Sequence, residues 1–253
     1  MSTFRIAGVI PARLGSTRLS RKVLRTLAGR PMIEWVWRAA RDSGRMDPVV
    51  VATDAEEVNA VCRALGIPVE MTSSECPSGS DRVREVARRI DAEIYVNIQG
   101  DEPTLTGEFF QPLLDLVIRP EVEVATLAVP CAPGEVGNPN AVKVVTARDG
   151  RALYFSRAAI PFDRDGRAGS AGFAGYRKHL GMYAYRKAAL ERFAALQPSP
   201  LEQAERLEQL RMLENGIAIH VAAAPDDTIG VDTEEDLLRA EAVLRQRVRS
   251  EGA

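Results

Sequence analysis

The chain carries a short basic stretch, PARLGSTRLSRK at positions 11–22, directly after an apolar run that ends at Ile10. Small residues in this stretch allow backbone N–H groups to approach anionic oxygens, and its three arginines and one lysine supply charge and hydrogen-bond donors. This combination predicts a polyphosphate-binding loop. The stretch matches neither the GxxxxGK[ST] nor the GxGxxG pattern, and the alternative is a basic surface loop without a ligand.

Two carboxylates occupy positions suited to holding a metal ion beside a polyphosphate. Asp101 directly follows an apolar strand-like run, and Asp232 immediately precedes the last helix-like stretch. Magnesium prefers oxygen ligands and keeps several of its waters, so a pair of carboxylates near a triphosphate predicts a Mg²⁺ site. The alternatives are that Asp232 only complements a helix N-terminus and that Asp101 is a turn residue before Pro103.

A second polar segment, SGSDR at positions 78–82, precedes another helix-like stretch. It is a candidate contact for a base or a ribose, and the alternative is that Ser80 only caps the helix. Further along, Arg157, Arg164 and His179 are expected to place positive charge in the second half of the chain. Because arginine binds carboxylates in a bidentate manner, these residues favour an anionic substrate.

Alternating strand-like and helix-like segments in the first half must position these residues. Apolar runs predict strands at 4–10, 48–52, 68–71 and 93–98, and apolar periodicity predicts helices at 31–43, 55–65 and 83–90. Asp54 is expected to cap the second helix, with Glu57 completing a capping box. The β-α-β-α order predicts a mostly parallel sheet with right-handed crossovers, whose carboxyl edge carries both the basic stretch and Asp101.

The second half shows strand patterns with little helix between them. Strands are predicted at 122–129, 142–146, 151–156, 178–185 and 217–222, with a helix at 201–215. Thr233 is expected to cap a final helix, and His220, within an apolar strand, is interpreted as structural. We therefore expect an α/β fold whose mostly parallel sheet is joined, in the second half, by a mixed-sheet subdomain.

Composition narrows the class of protein. The 253 residues are 45% hydrophobic and 27% charged, with a formal net charge of −2, which is ordinary for a globular protein and argues against nucleic acid as the main partner. Three cysteines without CxxC spacing indicate a reducing compartment rather than a disulfide framework. No apolar stretch is long enough to span a membrane, so a cytoplasmic location without a membrane partner is expected.

Taken together, these segments resemble the 3-deoxy-manno-octulosonate cytidylyltransferase (CMP-Kdo synthetase) family nearly end to end. The matching segments are IPAR at 10–13, STRL at 16–19, VATD at 51–54, SGSDR at 78–82, VNIQGDEP at 96–103, ATLAV at 125–129, NPNAVKV at 138–144, ALYFSR at 152–157, HLG at 179–181, QPSPLE at 197–202, LEQLR at 207–211 and GVDT at 230–233. Many sugar nucleotidyltransferases share the first segment, whereas the later set is more specific.

The resemblance implies a nucleotidyltransferase sheet of the Rossmann-like, glycosyltransferase-A-like type. It implies that the anomeric hydroxyl of 3-deoxy-D-manno-octulosonate (Kdo), an eight-carbon sugar acid, attacks the α-phosphate of CTP. CMP-Kdo for lipopolysaccharide synthesis and pyrophosphate are the expected products, Mg²⁺ the expected cofactor and a homodimer the expected assembly. We expect a single domain, 1–253, with a nucleotide-binding part at 1–120, a sugar-binding and dimerisation part at 121–230 and a C-terminal helix at 231–253.

The resemblance also assigns residues to three groups. The catalytic group comprises Arg13, Lys22, Asp101 and Asp232, and its two aspartates would bind Mg²⁺. The nucleotide-binding group comprises Pro11, Ala12, Arg13, Gly15, Ser16, Arg18, Lys22, Ser78, Gly79, Arg82 and Gln99. The sugar-acid group comprises Gln99, Arg157, Arg164, His179, Tyr183, Glu208 and Gln209.

Three positions depart from the family's usual pattern. Arg21 and Val23 flank Lys22 where the family usually has glycine and proline, so a flexible and a rigid residue are both replaced. Phe162 replaces a tryptophan, which keeps an aromatic side chain but removes an indole N–H. The alternatives are a cytidylyltransferase for another 2-keto-3-deoxy sugar acid, such as 8-amino-Kdo or a nonulosonate, and a non-catalytic nucleotide-binding paralogue.

Overall fold

A computed structural model of the chain describes residues 4–15, 19–76, 78–168 and 175–251. Its strands are β1 (Ile6–Ala12), β2 (Thr26–Leu27), β3 (Arg30–Pro31), β4 (Val49–Thr53), β5 (Val69–Met71), β6 (Ile94–Asn97), β7 (Val124–Pro130), β8 (Lys143–Thr146), β9 (Ala152–Ser156), β10 (Arg177–Arg186) and β11 (Ile219–Ala223). Its α-helices are α1 (Met32–Asp42), α2 (Glu56–Ala64), α3 (Gly79–Ala87), α4 (Phe110–Val117), α5 (Lys187–Ala194), α6 (Pro200–Glu205), α7 (Gln209–Glu214) and α8 (Glu234–Glu251). Short 3₁₀ helices cover Lys22–Leu24, Gly107–Phe109 and Pro133–Glu135.

The first of two compact units comprises 1–111 and 228–253. In it β1 lies between β4 and β6, β5 continues the sheet beyond β4, and every pairing among these four strands is parallel. β4 and β6 are buried along their whole length, as expected for parallel strands that are covered on both faces. The predicted parallel sheet is confirmed, although β1 continues through Pro11, which aligns with Ala52, instead of ending at Ile10.

Helix α8 completes the core of this unit although it comes from the far end of the chain. Leu237, Ala240 and Leu244 on one face of α8 join a buried cluster that includes Leu27 and Trp35. As predicted, Thr233 caps α8, because its hydroxyl accepts a hydrogen bond from the amide of Asp236 at 3.2 Å.

One predicted helix cap in this unit is wrong, and the cap considered as an alternative for another helix is not observed. The residue that precedes α2 is Ala55, which offers no side-chain cap, and Asp54 instead forms an ion pair with Arg82. Helix α3 is capped by Ser78 rather than Ser80, in a reciprocal capping box with Asp81.

The second unit comprises 112–227. In it β7 pairs antiparallel with β10 and parallel with β11, while β8 pairs antiparallel with both β9 and β10. This arrangement confirms the mixed sheet predicted for the second half. The predicted single domain with parts divided at 120 and 230 stays a prediction.

The helical prediction for this unit needs two corrections. The single helix expected at 201–215 is two short helices, α6 and α7, because Arg206 adopts a left-handed conformation with φ of 55° and ends α6. Helices α4 and α5 were not predicted from the sequence. His220 is buried in β11, consistent with a structural role. In the part of the chain that the structure describes, none of the helices combines the length and apolar character required to cross a bilayer.

Candidate active site

A lysine and two carboxylates meet in the first unit beside the carboxyl ends of its parallel strands. Lys22 begins the 3₁₀ helix after the basic stretch, Asp101 follows β6, and Asp232 precedes α8. The Lys22 ammonium donates to Asp101 Oδ2 at 2.6 Å and to Asp232 Oδ1 at 2.9 Å. Three residues predicted from separate parts of the sequence therefore form one cluster.

Charge holds this cluster together. Burial by itself would lower the pKa of Lys22, but attraction and hydrogen bonding from Asp101 and Asp232 outweigh burial and raise that pKa above 10.5. The side chain of Lys22 is only 12% exposed, whereas Asp101 and Asp232 are 32% and 48% exposed. The lysine is thus a permanent cation, and its two partners keep part of their oxygen surface open to a ligand.

Close backbone packing places Asp101. A Cβ atom on Gly100 would lie 2.9 Å from the carbonyl oxygen of Pro11, so only glycine allows this approach of the loop to the end of β1. The amide of Val231 also donates to the carbonyl of Asp101 at 2.9 Å. The loop that carries Asp101 is therefore fixed to β1 and to the segment that carries Asp232.

The residue before Lys22 explains one departure from the family pattern. Arg21 has φ of 55°, a left-handed conformation that suits the glycine usual at this position. Its guanidinium group pairs with Glu57 of α2. The chain retains the turn that presents Lys22 without glycine, at a backbone cost of about 1–2 kcal/mol. Val23, in place of proline, is buried.

Arg13 connects the basic stretch to the second polar segment. Its guanidinium group donates to the carbonyl of Cys76 and, at 3.1 Å, to the carbonyl of Ser78. Gly79 lies beside β1 and β6, since a Cβ atom there would be 3.5 Å from Pro11 and 3.6 Å from Asn97. The structure thus brings together the two segments that the sequence proposes for the nucleotide.

Other predicted nucleotide residues differ in exposure. Ala12 is buried at the end of β1, Gly15 is exposed, and Pro11 and Gln99 are half-buried. Ser16 and Arg18 lie outside the described residues.

Arg82 occupies a different environment from the one expected for a ligand-binding arginine. Its side chain is completely buried, lies 3.1 Å from the carboxylate of Asp54 and donates to the hydroxyl of Thr72 at 2.5 Å. These partners follow β4 and β5, so Arg82 fastens α3 to two strand ends. Its binding to a nucleotide stays a prediction.

Arg157 in the second unit binds carbonyl groups. Its guanidinium group donates to the carbonyls of Glu205 at 2.7 Å, Pro139 at 2.9 Å and Arg206 at 3.3 Å. Its amide donates to the Glu205 carboxylate at 2.9 Å. Arg157 thus joins the end of β9 to the 138–140 turn and to the end of α6. The sequence instead predicts that its guanidinium group binds the carboxylate of a substrate.

His179 does not supply the positive charge expected of it. The ring is buried between Phe155 and Tyr183, with Nε2 2.9 Å from the hydroxyl of Thr126. Burial lowers the pKa of His179 to about 3, so the ring is neutral near pH 7. Burial of the ring between two aromatic side chains therefore does not support the expected histidine cation.

The remaining sugar-acid candidates partly come together. Burial raises the pKa of Tyr183, and the charges of Tyr185 and Glu208 raise it further, which places Glu208 in the surroundings of this ring. Gln209 is buried at the first turn of α7, whereas Arg164 is exposed in the loop after β9. Phe162, the replacement for the family's tryptophan, is 88% exposed.

Two buried cations in the second unit have no counterpart in the site prediction. Lys143 is completely buried and donates to the carbonyls of Asn138, Ala141 and Arg157 at 2.5–2.9 Å. Arg211 lies 3.0 Å from Glu202 and packs over the ring of Phe193. Lys143 lies in the NPNAVKV segment and Arg211 in the LEQLR segment. Their burial could not be predicted from those segments, because hydrogen bonds to backbone carbonyls leave no pattern of residue types in a sequence.

Known proteins resemble this chain over nearly its whole length. A family model described as cytidylyltransferase matches residues 7–219. A 3-deoxy-manno-octulosonate cytidylyltransferase of Acidobacterium capsulatum is 64% identical over 98% of this chain and 99% of its own length. One of Koribacter versatilis is 52% identical, with 97% and 92% covered.

A solved structure shows the same fold. It is that of a CMP:2-keto-3-deoxy-manno-octonic acid synthetase complexed with CTP, and it superposes with a TM-score of 0.90 at 39% identity. The superposition covers 96% of this chain and 99% of the other. This likeness confirms the predicted nucleotidyltransferase type of α/β fold.

Proposed function

Because the chain belongs to the cytidylyltransferase family, we propose that it transfers CMP from CTP to the anomeric hydroxyl of Kdo, with CMP-Kdo and pyrophosphate as products. The family model and two relatives named for this reaction at 52% and 64% identity support the proposal. CMP-Kdo would supply the activated sugar for lipopolysaccharide synthesis.

The observation that carries this proposal is the convergence of Asp101 and Asp232 on Lys22. Attack on the α-phosphate develops negative charge on the attacked phosphate and on the leaving pyrophosphate, and transfer of this kind depends on positioning and charge neutralisation. Lys22 supplies a cation that its two partners keep protonated. Arg13 adds a guanidinium group directly after the end of β1.

The carboxylates of Asp101 and Asp232 fit Mg²⁺ by their chemistry. They are hard oxygen ligands, and two protein ligands leave positions for water and for phosphate oxygens, which is how Mg²⁺ is usually bound. When bound, the ion would add positive charge to the triphosphate. Among the described residues, no group of three or more His, Cys, Asp or Glu side chains forms an all-protein metal site. The proposal therefore assigns Mg²⁺ to these two aspartates together with the nucleotide.

Residues of the second unit are proposed to recognise the sugar acid. The neutral, buried ring of His179 would serve by holding Thr126 through a hydrogen bond rather than by attracting the sugar carboxylate by charge. Arg164 is exposed and is available to such a carboxylate. Arg157 contributes by fixing the 138–140 turn and the end of α6.

The proposal also includes a homodimer in the cytoplasm. Leu153 and Phe162 are 61% and 88% exposed in the second unit, and large apolar side chains of this kind suit a subunit interface. Cys62, Cys76 and Cys131 all have free thiols, which suits a reducing compartment.

A pyrophosphate-release assay tests the function. The chain is supplied with CTP and Mg²⁺ together with Kdo, 8-amino-Kdo or a nonulosonate, in separate reactions. The highest kcat/KM is expected with Kdo. A higher value with another sugar acid would transfer the assignment to that substrate, and CTP binding without release of pyrophosphate from any of them would identify a non-catalytic paralogue.

A further inference from the structure

The loop that carries Asp101 is bonded to the segment that carries Asp232. The amide of Val231 donates to the carbonyl of Asp101 at 2.9 Å, and the amide of Ile229 donates to the hydroxyl of Thr104 at 3.0 Å. Two hydrogen bonds thus tie 101–104 to 229–231. The separation of the two carboxylates depends on this tie.

Arg247, near the C-terminal end of α8, forms hydrogen bonds to the same loop. Its guanidinium group donates to the carbonyl of Thr104 at 2.8 Å and to the carbonyl of Leu105 at 3.1 Å. Thr104 and Leu105 are 7% and 1% exposed, so water has little access to this part of the loop. A buried carbonyl without a partner is costly, and the planar guanidinium group satisfies both carbonyls from one side chain.

Helix α8 links Arg247 rigidly to Asp232. The carboxylate of Asp236 in the first turn accepts hydrogen bonds from the amides of Asp232 at 3.2 Å and Thr233 at 3.0 Å. Leu244, one turn before Arg247, is completely buried in the cluster that seats the helix. One packed helix therefore fixes Asp232 at its start and the Asp101 loop at its end.

We propose that Arg247 is a positioning residue for the Asp101–Asp232 pair, acting through the carbonyls of Thr104 and Leu105. This inference rests on the proposed function for its effect on turnover. Because Arg247 bonds to the backbone of the loop, the role proposed for it is positional and not catalytic. Its loss would allow the loop to move relative to the start of α8, and displacements of about 1 Å at a reacting centre cost up to about 10²-fold in rate.

The experiment compares Arg247→Met, Arg247→Lys and the matched control Arg249→Met. Methionine keeps an apolar stem without donors, lysine keeps one donor group, and Arg249 is an exposed arginine two residues further along α8. Kinetics yield kcat and both KM values, and amide hydrogen exchange reports the Val231 bond to Asp101 without requiring activity.

Arg247→Met is expected to lower kcat about tenfold with the Kdo KM within about twofold of the wild-type value, and to speed exchange at Val231 at least about tenfold. Arg247→Lys should recover part of both effects, and Arg249→Met should show neither. A folded Arg247→Met variant with wild-type kcat, or one whose kcat falls while exchange at Val231 is unchanged, would overturn the inference.

Arg247→Gln provides the same test if Arg247→Met does not fold. Its shorter amide side chain keeps a polar group but lacks the guanidinium fork that donates to the carbonyls of Thr104 and Leu105, and it should lower kcat and speed exchange at Val231 in the same way. Unchanged kcat and exchange in this variant would also contradict the inference. A wild-type chain that releases no pyrophosphate would refute the proposed function instead, and the exchange rates would still decide whether Arg247 holds the loop.

Discussion

Asp232 accepts a hydrogen bond from Lys22 at 2.9 Å although 210 residues separate them along the chain. Asp101 joins them at 2.6 Å from the same ammonium group. One ammonium group here faces two carboxylates, so a change in any one of the three alters the field that acts on a bound triphosphate. The cluster is therefore the first place to test the proposed chemistry.

Asp101→Asn is expected to reduce kcat by at least about 10²-fold while the protein stays folded. Asparagine has almost the same shape but lacks the negative charge that faces Lys22 and the proposed Mg²⁺, and losing one preorganised electrostatic group typically costs this much. Steady-state kinetics with CTP and Kdo measure the effect. Asp149→Asn, at an exposed aspartate of the second unit, is the control. Near-normal turnover in Asp101→Asn would remove Asp101 from the metal site.

Nucleotide preference tests the role of the two segments that Arg13 connects. These segments, 12–15 and 78–82, are expected to enclose the base, and a pocket sized for a pyrimidine excludes purines by steric conflict. We expect kcat/KM for CTP to exceed that for GTP by at least about 10²-fold. Competition between the two nucleotides in one reaction measures the ratio directly. Equal rates with CTP and GTP would show that these segments do not form the base pocket.

Arg157→Ala is expected to raise the KM for Kdo far more than the KM for CTP. The variant should also lower the free energy of unfolding by about 1–3 kcal/mol, because carbonyls of Pro139 and Glu205 lose their donor. Kinetics and urea unfolding measure the two effects. Arg151→Ala, at an exposed arginine of the same unit, is the control for stability. A higher CTP KM with an unchanged Kdo KM would end the assignment of Arg157 to sugar recognition.

The buried ring of His179 predicts sensitivity to acid. Its pKa is about 3 in the folded chain and near 6.5 in an unfolded one, so between these pH values the unfolded chain binds one more proton. Protonation then favours unfolding, and the free energy of unfolding falls with decreasing pH below 6.5 by up to about 1.4 kcal/mol per pH unit.

His179→Gln isolates this contribution. Urea unfolding of wild type and variant should give parallel pH dependences above pH 7.5, where the ring is neutral in both states. Below pH 6.5 the wild-type curve should fall more steeply than the variant curve. Parallel curves over the whole range would mean that His179 is accessible to protons in the folded protein.

The parallel strands and the position of Asp101 at their carboxyl edge were predictable because they follow from local patterns. Apolar runs locate the parallel strands, the carboxyl ends of such strands meet at one edge, and Asp101 directly follows one of them. Asp232 was placed correctly because Thr233 marks the start of α8. These inferences require only neighbouring residues and one general rule of sheet topology, whereas the grouping of Lys22 with both aspartates came from the family resemblance.

The wrong predictions concern residues whose environment is set by burial or by backbone segments that are distant in the sequence. Arg157 was expected to face a ligand because the carbonyls that engage it belong to segments 18 and 48 residues away. Arg82 lies in a polar segment of the sequence, which suggested an exposed side chain. Its burial depends on the ion pair with Asp54, a contact that the sequence does not reveal. The break between α6 and α7 escaped prediction because leucines at 207, 210 and 213 keep a helical spacing beyond Arg206.

The first unit takes its final helix from 228–253, after the whole of the second unit has been translated. On the ribosome, the parallel sheet and Lys22 therefore emerge long before Asp232, and the second unit can fold while the first still lacks one face of its core. Lys22 and Asp101 spend that interval without their third partner. A chain released after β11 but before residue 232 thus contains every strand described here, yet it cannot assemble the charged cluster because it lacks Asp232.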